Sequence, residues 1–179
     1  MTVWILCYGD MEFLELLSDV PNFPLDGYVV VFFNGSENGG NSSYFTVDLD
    51  GYVTDVNGLL LIGSNSVSPV PQFLIPENTI QNGADAVAIY QASDFNFPDE
   101  TLATINNLID VLLYDTSDGD DVDMIDIFSA NPDFASIQQI NEGSGNNTNS
   151  IQRNNDGTYT SKTPTPRQLN DGSGIDLNG

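Results

Sequence analysis

The chain of 179 residues carries 26 acidic residues against three basic ones, a formal net charge of −23. Neutralising phosphates takes clustered Lys and Arg, so this charge excludes nucleic acid and an anionic membrane surface as partners. Hydrophobic residues make up 40% of the chain, which is enough to bury a core and excludes a disordered protein.

The composition favours turns over helices. Of the 26 acidic residues 20 are Asp, and the chain holds 20 Asn and 16 Gly, all of them turn formers. From about residue 11 to residue 160, short apolar or alternating runs are separated by clusters of Gly, Asn, Asp, Ser and Pro, which is typical of an all-β sandwich. The predicted strands, in chain order, cover residues 11–17, 26–34, 43–49, 58–64, 73–75, 84–91, 107–115, 136–140, 150–153 and 158–161.

Two of these runs indicate how the core is built, because the side chains of a strand alternate between its two faces. In NLIDVLLYD, the side chains of Ile109, Val111 and Leu113 share one face. In residues 26–34 nearly every position is apolar, which predicts a central strand that is covered on both sides.

One short helix is predicted after the acidic cluster TSDGDD. Asp120 or Asp121 is the expected N-cap, and the following VDMIDIF places Val122, Ile125 and Phe128 on one side of about two turns. The acids near its start lie at the positive end of the helix dipole, where they are stabilising.

Tight turns and loops separate the strands. The dipeptides Asp50-Gly51 and Asn82-Gly83 accept φ > 0 and therefore predict tight turns between apolar runs. The segments 36–43 and 141–150 are polar and are predicted to be exposed loops. No repeat of fixed period is found, which excludes a solenoid or a propeller.

Several motifs in one order carry a family resemblance: LDGYVVVFFNG, DLDGYVTDVNGLLLIG, IQNGADAVAIYQ, NLIDVLLYDT, NEGSG, SIQR and PTP. Over residues 11–170 this order resembles the lamin-tail domain family of secreted bacterial and invertebrate multidomain proteins. The resemblance implies an immunoglobulin-like β-sandwich that has no catalytic residues or metal site of its own and is appended to other domains. The opening MTVWILCYGD departs from the family, and Arg167 stands where the family usually has Gly. No coiled coil is present, so a nuclear lamin role does not carry over.

These observations divide the chain into three parts. Residues 1–10 form an atypical N-terminal segment, residues 11–170 the lamin-tail-like domain, and residues 171–179 a linker or tail. The start has neither a basic n-region nor an apolar stretch long enough for a signal peptide or a membrane span. We therefore expect a fragment of a larger secreted or surface protein, located outside the cell or on its surface, whose signal lies elsewhere.

Histidine is absent from the chain, and this excludes Ser-His and Cys-His nucleophile systems and every His-based metal site. What remains is carboxylate chemistry, as in glycosidases, where two acids flank a cleft about 5 to 9.5 Å apart. No feature of the sequence selects a particular pair of the 26 acids. We therefore expect a non-catalytic module that binds a protein or glycan partner through its loops, with a carboxylate hydrolase as a weaker alternative.

We expect no cofactor, and the alternative is calcium, which would make the chain a calcium-stabilised adhesion domain. Hard cations take 6 to 8 oxygen ligands, and two segments are rich in them. Neither has EF-hand spacing, and the alternative readings are a strand, turn and strand for the first and a helix N-terminus for the second. The candidate ligands are Asp48, Asp50, Asp55 and Asn57 in the first segment, and Asp118, Asp120, Asp121 and Asp123 in the second.

A few single residues complete the predictions. Cys7 cannot form an internal disulfide and is expected to pack as a small hydrophobe. Arg153 is expected to make a structural ion pair, with a ligand role as the alternative. Asn34, Asn41 and Asn146 match the N-glycosylation pattern in predicted loops, a match that an Asn-rich chain also produces by chance.

Overall fold

The computed structural model describes the backbone of residues 2–7 and all of residues 11–143 and 148–177. With 33% of its residues in strands and 9% in helices, the protein is mainly β with one short helix, which confirms that part of the predicted class, while the sandwich stays a prediction. The chain forms two compact units. Unit 1 comprises Met1–Leu25, Tyr52–Ile80 and Gly145–Gly179, and unit 2 comprises Asp26–Gly51 and Gln81–Ser144. Among the described residues, no helix has the length and apolar character needed to cross a bilayer.

The elements follow the predicted order closely. They are β1 (Thr2–Cys7), β2 (Phe13–Leu17), β3 (Val29–Asn34), β4 (Ser42–Asp48), β5 (Leu59–Gly63), β6 (Phe73–Leu74), β7 (Asp85–Tyr90), β8 (Leu108–Asp115), α1 (Val122–Ser129), β9 (Gln139–Asn141), β10 (Ser150–Arg153) and β11 (Tyr159–Lys162). Asp94–Asn96 and Pro132–Phe134 each form one turn of 3-10 helix. Strand β1 has no counterpart among the predicted strands.

Unit 1 holds a four-stranded sheet in the order β1-β2-β5-β6 and the antiparallel hairpin β10-β11. Strand β2 pairs antiparallel with β1 and with β5, while the short β6 runs parallel to β5. Phe13 and Leu17, on one face of β2, pack with Leu61 and Val67. The Gln72 side chain bonds to the backbone of β5, where its Oε1 accepts the Leu61 N–H at 2.9 Å.

Unit 2 holds a five-stranded sheet in the order β4-β3-β7-β8-β9, antiparallel except for the β8-β9 pair. Strand β3 lies between β4 and β7, and Val29–Phe33 are buried whichever face they point to, which confirms a central strand covered on both sides. Helix α1 packs on one face of this sheet. The buried core on that face consists of Val29, Val31, Phe33, Ala86, Ala88, Tyr90, Phe97, Val111, Leu113, Met124 and Phe128.

The structure corrects the predicted faces of β8 and α1. Leu108, rather than Ile109, packs with Val111 and Leu113, because the β7-β8 register shifts next to Tyr90. Asp121 is the N-cap of α1, as one of the two predicted candidates. The buried side of the helix is formed by Met124 and Phe128, which lie one turn apart, whereas Val122 is 63% exposed.

Two loop predictions are also corrected. Residues 36–43 include Ser42 and Ser43, which begin β4, and Ser43 is buried because it bonds to the 98–101 segment. Residues 141–150 include the buried Glu142 and Ser150. Gly51 has φ 82° as the turn prediction requires. Gly83 does not have a positive φ, and its N–H is instead held by Asp85 Oδ2 at 3.2 Å.

Candidate functional site

The first predicted calcium segment is divided between the two units, with Asp48 and Asp50 in unit 2. There two loops with Asp-Gly dipeptides, at residues 26–27 and 50–51, hold each other. Asp50 Oδ1 accepts the Gly27 N–H at 2.6 Å, and Asp26 Oδ1 accepts the Gly51 N–H at 3.0 Å. Both glycines have φ near 80°, a conformation that favours Gly. We call this reciprocal pair of bonds the Asp-Gly clasp. The Asp48 carboxylate accepts the Asp50 N–H in the same turn.

Asp55 and Asn57 belong to unit 1, where both hold backbone groups. Asp55 Oδ1 accepts the N–H groups of Asn57 and Leu59 at 2.8 and 3.0 Å. The Asn57 amide makes two bonds to Ile175, accepting its N–H at 2.8 Å and donating to its carbonyl at 2.7 Å. These two side chains therefore shape a turn and fasten the C-terminal segment of the unit.

The second predicted segment lines a groove of about 510 Å³ in unit 2. We call it the acidic groove. Gly35 and Ala84 form part of its wall, and the carboxylates around it belong to Glu37, Asp118, Asp120, Asp121 and Asp123. The structure therefore brings all four acids of this segment to one groove, together with a fifth that the sequence did not indicate.

Asp121 is the acid of this groove that is most firmly held. Its Oδ1 accepts the Met124 N–H at 3.0 Å and caps α1, while its own N–H donates to Gln139 Oε1 at 2.9 Å. The Gln139 amide donates in turn to Asp115 Oδ2. Asp121 Oδ2 is buried and has no hydrogen-bond partner. Strands β8 and β9 and the start of α1 are thus joined through one glutamine.

Asp85 lies close to the same groove and holds two loops. Its Oδ1 accepts the Gly35 N–H at 3.0 Å and its Oδ2 the Gly83 N–H. Burial raises the pKa of the Asp85 carboxyl, the two backbone bonds oppose that rise, and the negative charge of Asp121 adds to it. Gly35 must be glycine here, because a Cβ would collide with the Ala84 carbonyl oxygen and Asp121 Oδ2.

Within residues 11–143 and 148–177, no three acidic side chains are arranged as ligands of one metal ion. The calcium sites therefore stay predictions. The contacts above give each of Asp48, Asp50, Asp55, Asn57 and Asp121 a bond to a backbone N–H, as the alternative structural readings expect.

Burial raises the pKa of two glutamates, Glu15 and Glu142, to about 8. Glu15 in β2 is fully buried, and burial raises its pKa to about 8. Its Oε1 accepts the Arg167 N–H at 2.7 Å, and the Arg167 guanidinium reaches Asp55 Oδ2 at 3.3 Å. Glu142 is 3% exposed, and burial alone raises its pKa to about 8. Neither glutamate lines one of the grooves described in this section.

A second groove of unit 2, about 480 Å³, lies between strand β4 and the segment 94–99. We call it the aromatic groove. Phe95 is its most unusual residue, because 90% of this large apolar side chain is exposed. The groove is lined by Tyr44, Phe45, Thr46, Asp48, Asp94, Phe95, Phe97, Pro98 and Asp99.

Phe95 is held in this position by its neighbours. Ser93 and Asn96 form a reciprocal capping box on the one-turn helix, in which Ser93 Oγ accepts the Phe95 N–H at 3.3 Å. Phe97 anchors the segment, since its ring lies 4.5 Å from that of Tyr90 and its carbonyl accepts a bond from Thr46 Oγ1 at 3.0 Å. An ordered segment therefore presents an exposed aromatic ring.

Sequence reasoning missed the aromatic groove. The available signal was SDFNFPD, in which two Phe lie among turn formers. Sequence alone does not show that strand β4 lies beside it.

A third groove, about 330 Å³ in unit 1, contains Arg153 together with Leu17, Leu169 and Asp171. The Arg153 carbonyl accepts a bond from the Asn170 amide at 3.1 Å. The basic residue for which an ion pair is described above is Arg167, with Asp55. These contacts test neither the ion pair nor the ligand role of Arg153, and both stay predictions.

The glycosylation motifs lie in different settings. Asn34 ends β3 rather than lying in a loop, since it pairs with Ser42 in β4 and with Asp85 in β7. Its Nδ2 donates to Gln81 Oε1 at 2.7 Å, and its Oδ1 accepts the Ser36 N–H. Asn41 has φ 55°. Asn146 lies outside the described residues, and so does the side chain of Cys7, for which packing as a small hydrophobe was predicted.

Comparisons of the chain with models of known protein families, with curated proteins and with solved structures find no match.

Proposed function

We propose that this chain is an immunoglobulin-like β-sandwich of the lamin-tail type that serves as a non-catalytic interaction module of a larger secreted or surface protein. It acts outside the cell or at its surface, beside neighbouring domains, and binds a protein or glycan partner through its loops. The observation that carries the binding role is Phe95, an aromatic side chain 90% exposed on an ordered segment. Exposed aromatic anchors beside polar residues are typical of recognition surfaces.

The burial of unit 2 supports the sandwich. One face of its sheet packs against α1 and the surrounding loops. Val30, Phe32, Val87 and Ile89 alternate with the residues of that face and are themselves 0% exposed. A sandwich layer has to bury one face against a second layer, and the face formed by these four residues is buried although it is not the one that α1 covers. A crystal structure in which the face formed by Val30, Phe32, Val87 and Ile89 was open to solvent would contradict the sandwich.

The partners of the buried acids support a non-catalytic role. A catalytic carboxyl with a raised pKa has to reach substrate in a cleft. Glu15 instead holds a backbone N–H within unit 1, and Asp85 and Asp115 hold loops and a glutamine within unit 2. Each of these acids therefore already has a structural task.

The test combines binding with turnover. The chain and its Phe95→Ala variant are applied to arrays of glycans and of extracellular peptides, and both are assayed against chromogenic glycosides from pH 4 to pH 8. We expect at least one ligand that the variant binds more weakly, and no hydrolysis above the buffer blank. Hydrolysis that disappears when Glu15 or Asp85 is replaced by its amide would overturn the proposal.

A calcium-stabilised adhesion domain is the second candidate. The observation that favours it is Asp121 Oδ2, buried without a hydrogen-bond partner at a groove that carries four further acids. An ion bound only by the folded state raises the melting temperature by mass action. Melts in millimolar calcium and in EDTA at equal ionic strength separate the candidates. A rise in melting temperature with calcium that is lost in Asp121→Asn and kept in Asp126→Asn supports the calcium site. Equal melting temperatures in calcium and in EDTA support the first proposal.

A further inference from the structure

We propose that the aromatic groove binds an extended peptide that carries lysine or arginine, with its backbone laid along the outer edge of β4 and its cation over Phe95. This inference rests on the proposed interaction role and names the chemistry of the partner. Backbone, aromatic and charged groups in unit 2 each contribute one part of the argument.

The backbone of β4 provides the first part. Within the described part of the chain, the outer side of β4 is paired only near its start, where the Ser43 N–H donates to the Thr101 carbonyl and the Ser43 carbonyl accepts the Glu100 N–H. For the rest of β4, the direction of the N–H and C=O groups follows from Leu49, whose N–H donates inward to the Tyr28 carbonyl next to β3. Because these groups alternate along a strand, those of Thr46 and Asp48 point outward.

Among the described residues, no backbone group pairs with Thr46 or Asp48 on that outer side. Both residues line the aromatic groove. An edge strand with unpaired N–H and C=O groups accepts an added extended segment, which gains affinity from main-chain hydrogen bonds. The groove therefore suits a backbone in extended conformation.

The side chains provide the second part. Asp94 and Asp99 begin and end the segment that presents Phe95, Asp48 lies on the facing strand, and all three line the groove. An aromatic face attracts Lys and Arg side chains, and three carboxylates around it add Coulomb attraction. The chemistry of this groove therefore matches a cationic side chain better than a neutral or acidic one.

The charge of the whole chain argues against a second copy as the occupant. With a net charge of −23 and only three basic residues, two copies repel each other. A neutral glycan could stack on Phe95 but would leave the edge of β4 unpaired. A basic peptide uses all three features of the groove.

The experiment measures peptide binding by NMR titration of the full chain at low ionic strength. The probe is the acetylated and amidated peptide TTVRVTT. Its two matched controls are the same peptide with citrulline in place of arginine, which removes the charge, and the same peptide N-methylated at both valines and at the arginine, which blocks strand pairing through either edge of the peptide. Two pairs of variants accompany them: Phe95→Ala with Val122→Ala, and Asp99→Asn with Asp126→Asn. All four residues are exposed, so these variants leave the fold intact.

We expect the arginine peptide to shift signals of β4 and of residues 94–99. Phe95→Ala should weaken binding about fivefold, as the loss of one exposed cation–π contact implies, while Val122→Ala leaves it unchanged. Asp99→Asn should weaken binding more than Asp126→Asn does. Both control peptides should bind at least fivefold more weakly than the arginine peptide.

Three outcomes would overturn the inference. Equal binding to the chain and to Phe95→Ala would mean diffuse attraction to an acidic surface, and equal binding of the N-methylated peptide would remove the role of the β4 edge. Binding of a neutral glycan that depends on Phe95, with no peptide binding, would also overturn it but would leave the interaction module standing. The proposed interaction role would itself be contradicted only by the finding that no ligand of any class binds in a way that depends on Phe95.

Discussion

Glu15 Oε1 accepts the backbone N–H of Arg167 at 2.7 Å, although 152 residues separate the two in sequence. A fully buried carboxyl in strand β2 thereby fastens the C-terminal segment of unit 1. The Arg167 side chain adds an ion pair to Asp55, and the Asn57 amide holds Ile175 further along the same segment. Side chains rather than strand pairing therefore provide these attachments.

The buried carboxyl predicts that the protein loses stability as pH rises. The pKa of Glu15 is about 8 in the folded state against an ordinary value of 4.5, so the folded state holds one more proton between these values. The stability that the protonated Glu15 contributes is fully present below about pH 4.5. As pH rises from there towards 8, the free energy of unfolding falls by about 1.4 kcal/mol per pH unit. Glu142 acts in the same direction.

Urea unfolding at pH 5, 6.5 and 8 measures how the free energy of unfolding changes with pH. Glu15→Gln should flatten it and the exposed Glu37→Gln should not, so equal slopes in both variants would contradict a protonated Glu15.

Arg167 predicts an unusual order of stability among its variants. Its φ of 60° lies in the left-handed region, where a side chain costs about 1 kcal/mol relative to Gly. Arg167→Gly and Arg167→Ala both lose the ion pair with Asp55 and both keep the N–H that Glu15 accepts. The Gly variant should therefore be about 1 kcal/mol more stable than the Ala variant in urea unfolding. An Ala variant as stable as the Gly variant would show that this backbone conformation is not kept.

Gly35 and Gly119 form a matched pair, because both lie at the acidic groove and neither has a positive φ. A Cβ at Gly35 would collide with the Ala84 carbonyl and Asp121 Oδ2, whereas at Gly119 it would meet nothing within 4 Å. Gly35→Ala should cost about 1 to 3 kcal/mol of unfolding free energy, as overpacking does, and Gly119→Ala should change it by less than about 0.5 kcal/mol. Thermal and urea unfolding of both variants measure this, and equal losses would place Gly35 outside the contact with Asp121.

Phe128 and Phe95 are phenylalanines at opposite extremes of exposure, 0% and 90%. Phe128 packs against the Phe33 ring at 6.2 Å within the core of unit 2. Phe128→Ala should cost about 3 to 5 kcal/mol through lost burial and a cavity, while Phe95→Ala should stay within about 0.5 kcal/mol of the parent chain. Denaturant midpoints compare the two. A large loss in Phe95→Ala would mean that this ring has a structural role rather than a recognition role.

The strands were predictable because their signal is local. Apolar runs bounded by turn formers gave nearly every strand, and the Asp before VDMIDIF gave the N-cap of α1. The side of α1 that is buried was less predictable, since it depends on where the sheet lies. Ile109 was misplaced for a similar reason, because a register shift between two strands leaves no mark on either sequence.

The acids were harder to interpret, because their roles depend on distant partners. Nothing in FLELL distinguishes a buried Glu15 from an exposed one until the Arg167 N–H is placed beside it. Asp50 and Asp55 looked like neighbouring ligands in sequence, but one bonds to Gly27 and the other to Asn57, Leu59 and Arg167. An acid-rich turn and a cation site use the same residue types, so composition alone does not separate them.

The Asp-Gly clasp has a consequence for how the protein ages. Isomerisation of an Asp-Gly linkage begins when the glycine nitrogen attacks the carboxyl group of the aspartate before it. Here the N–H of Gly27 is given to Asp50, and that of Gly51 is given to Asp26, so each nitrogen is held by the opposite loop. Both linkages should accumulate isoaspartate more slowly in the folded protein than in peptides of the same sequence, and mass-spectrometric mapping after storage would measure the difference. A pair of turns that are chemically fragile on their own thus becomes durable by exchanging partners.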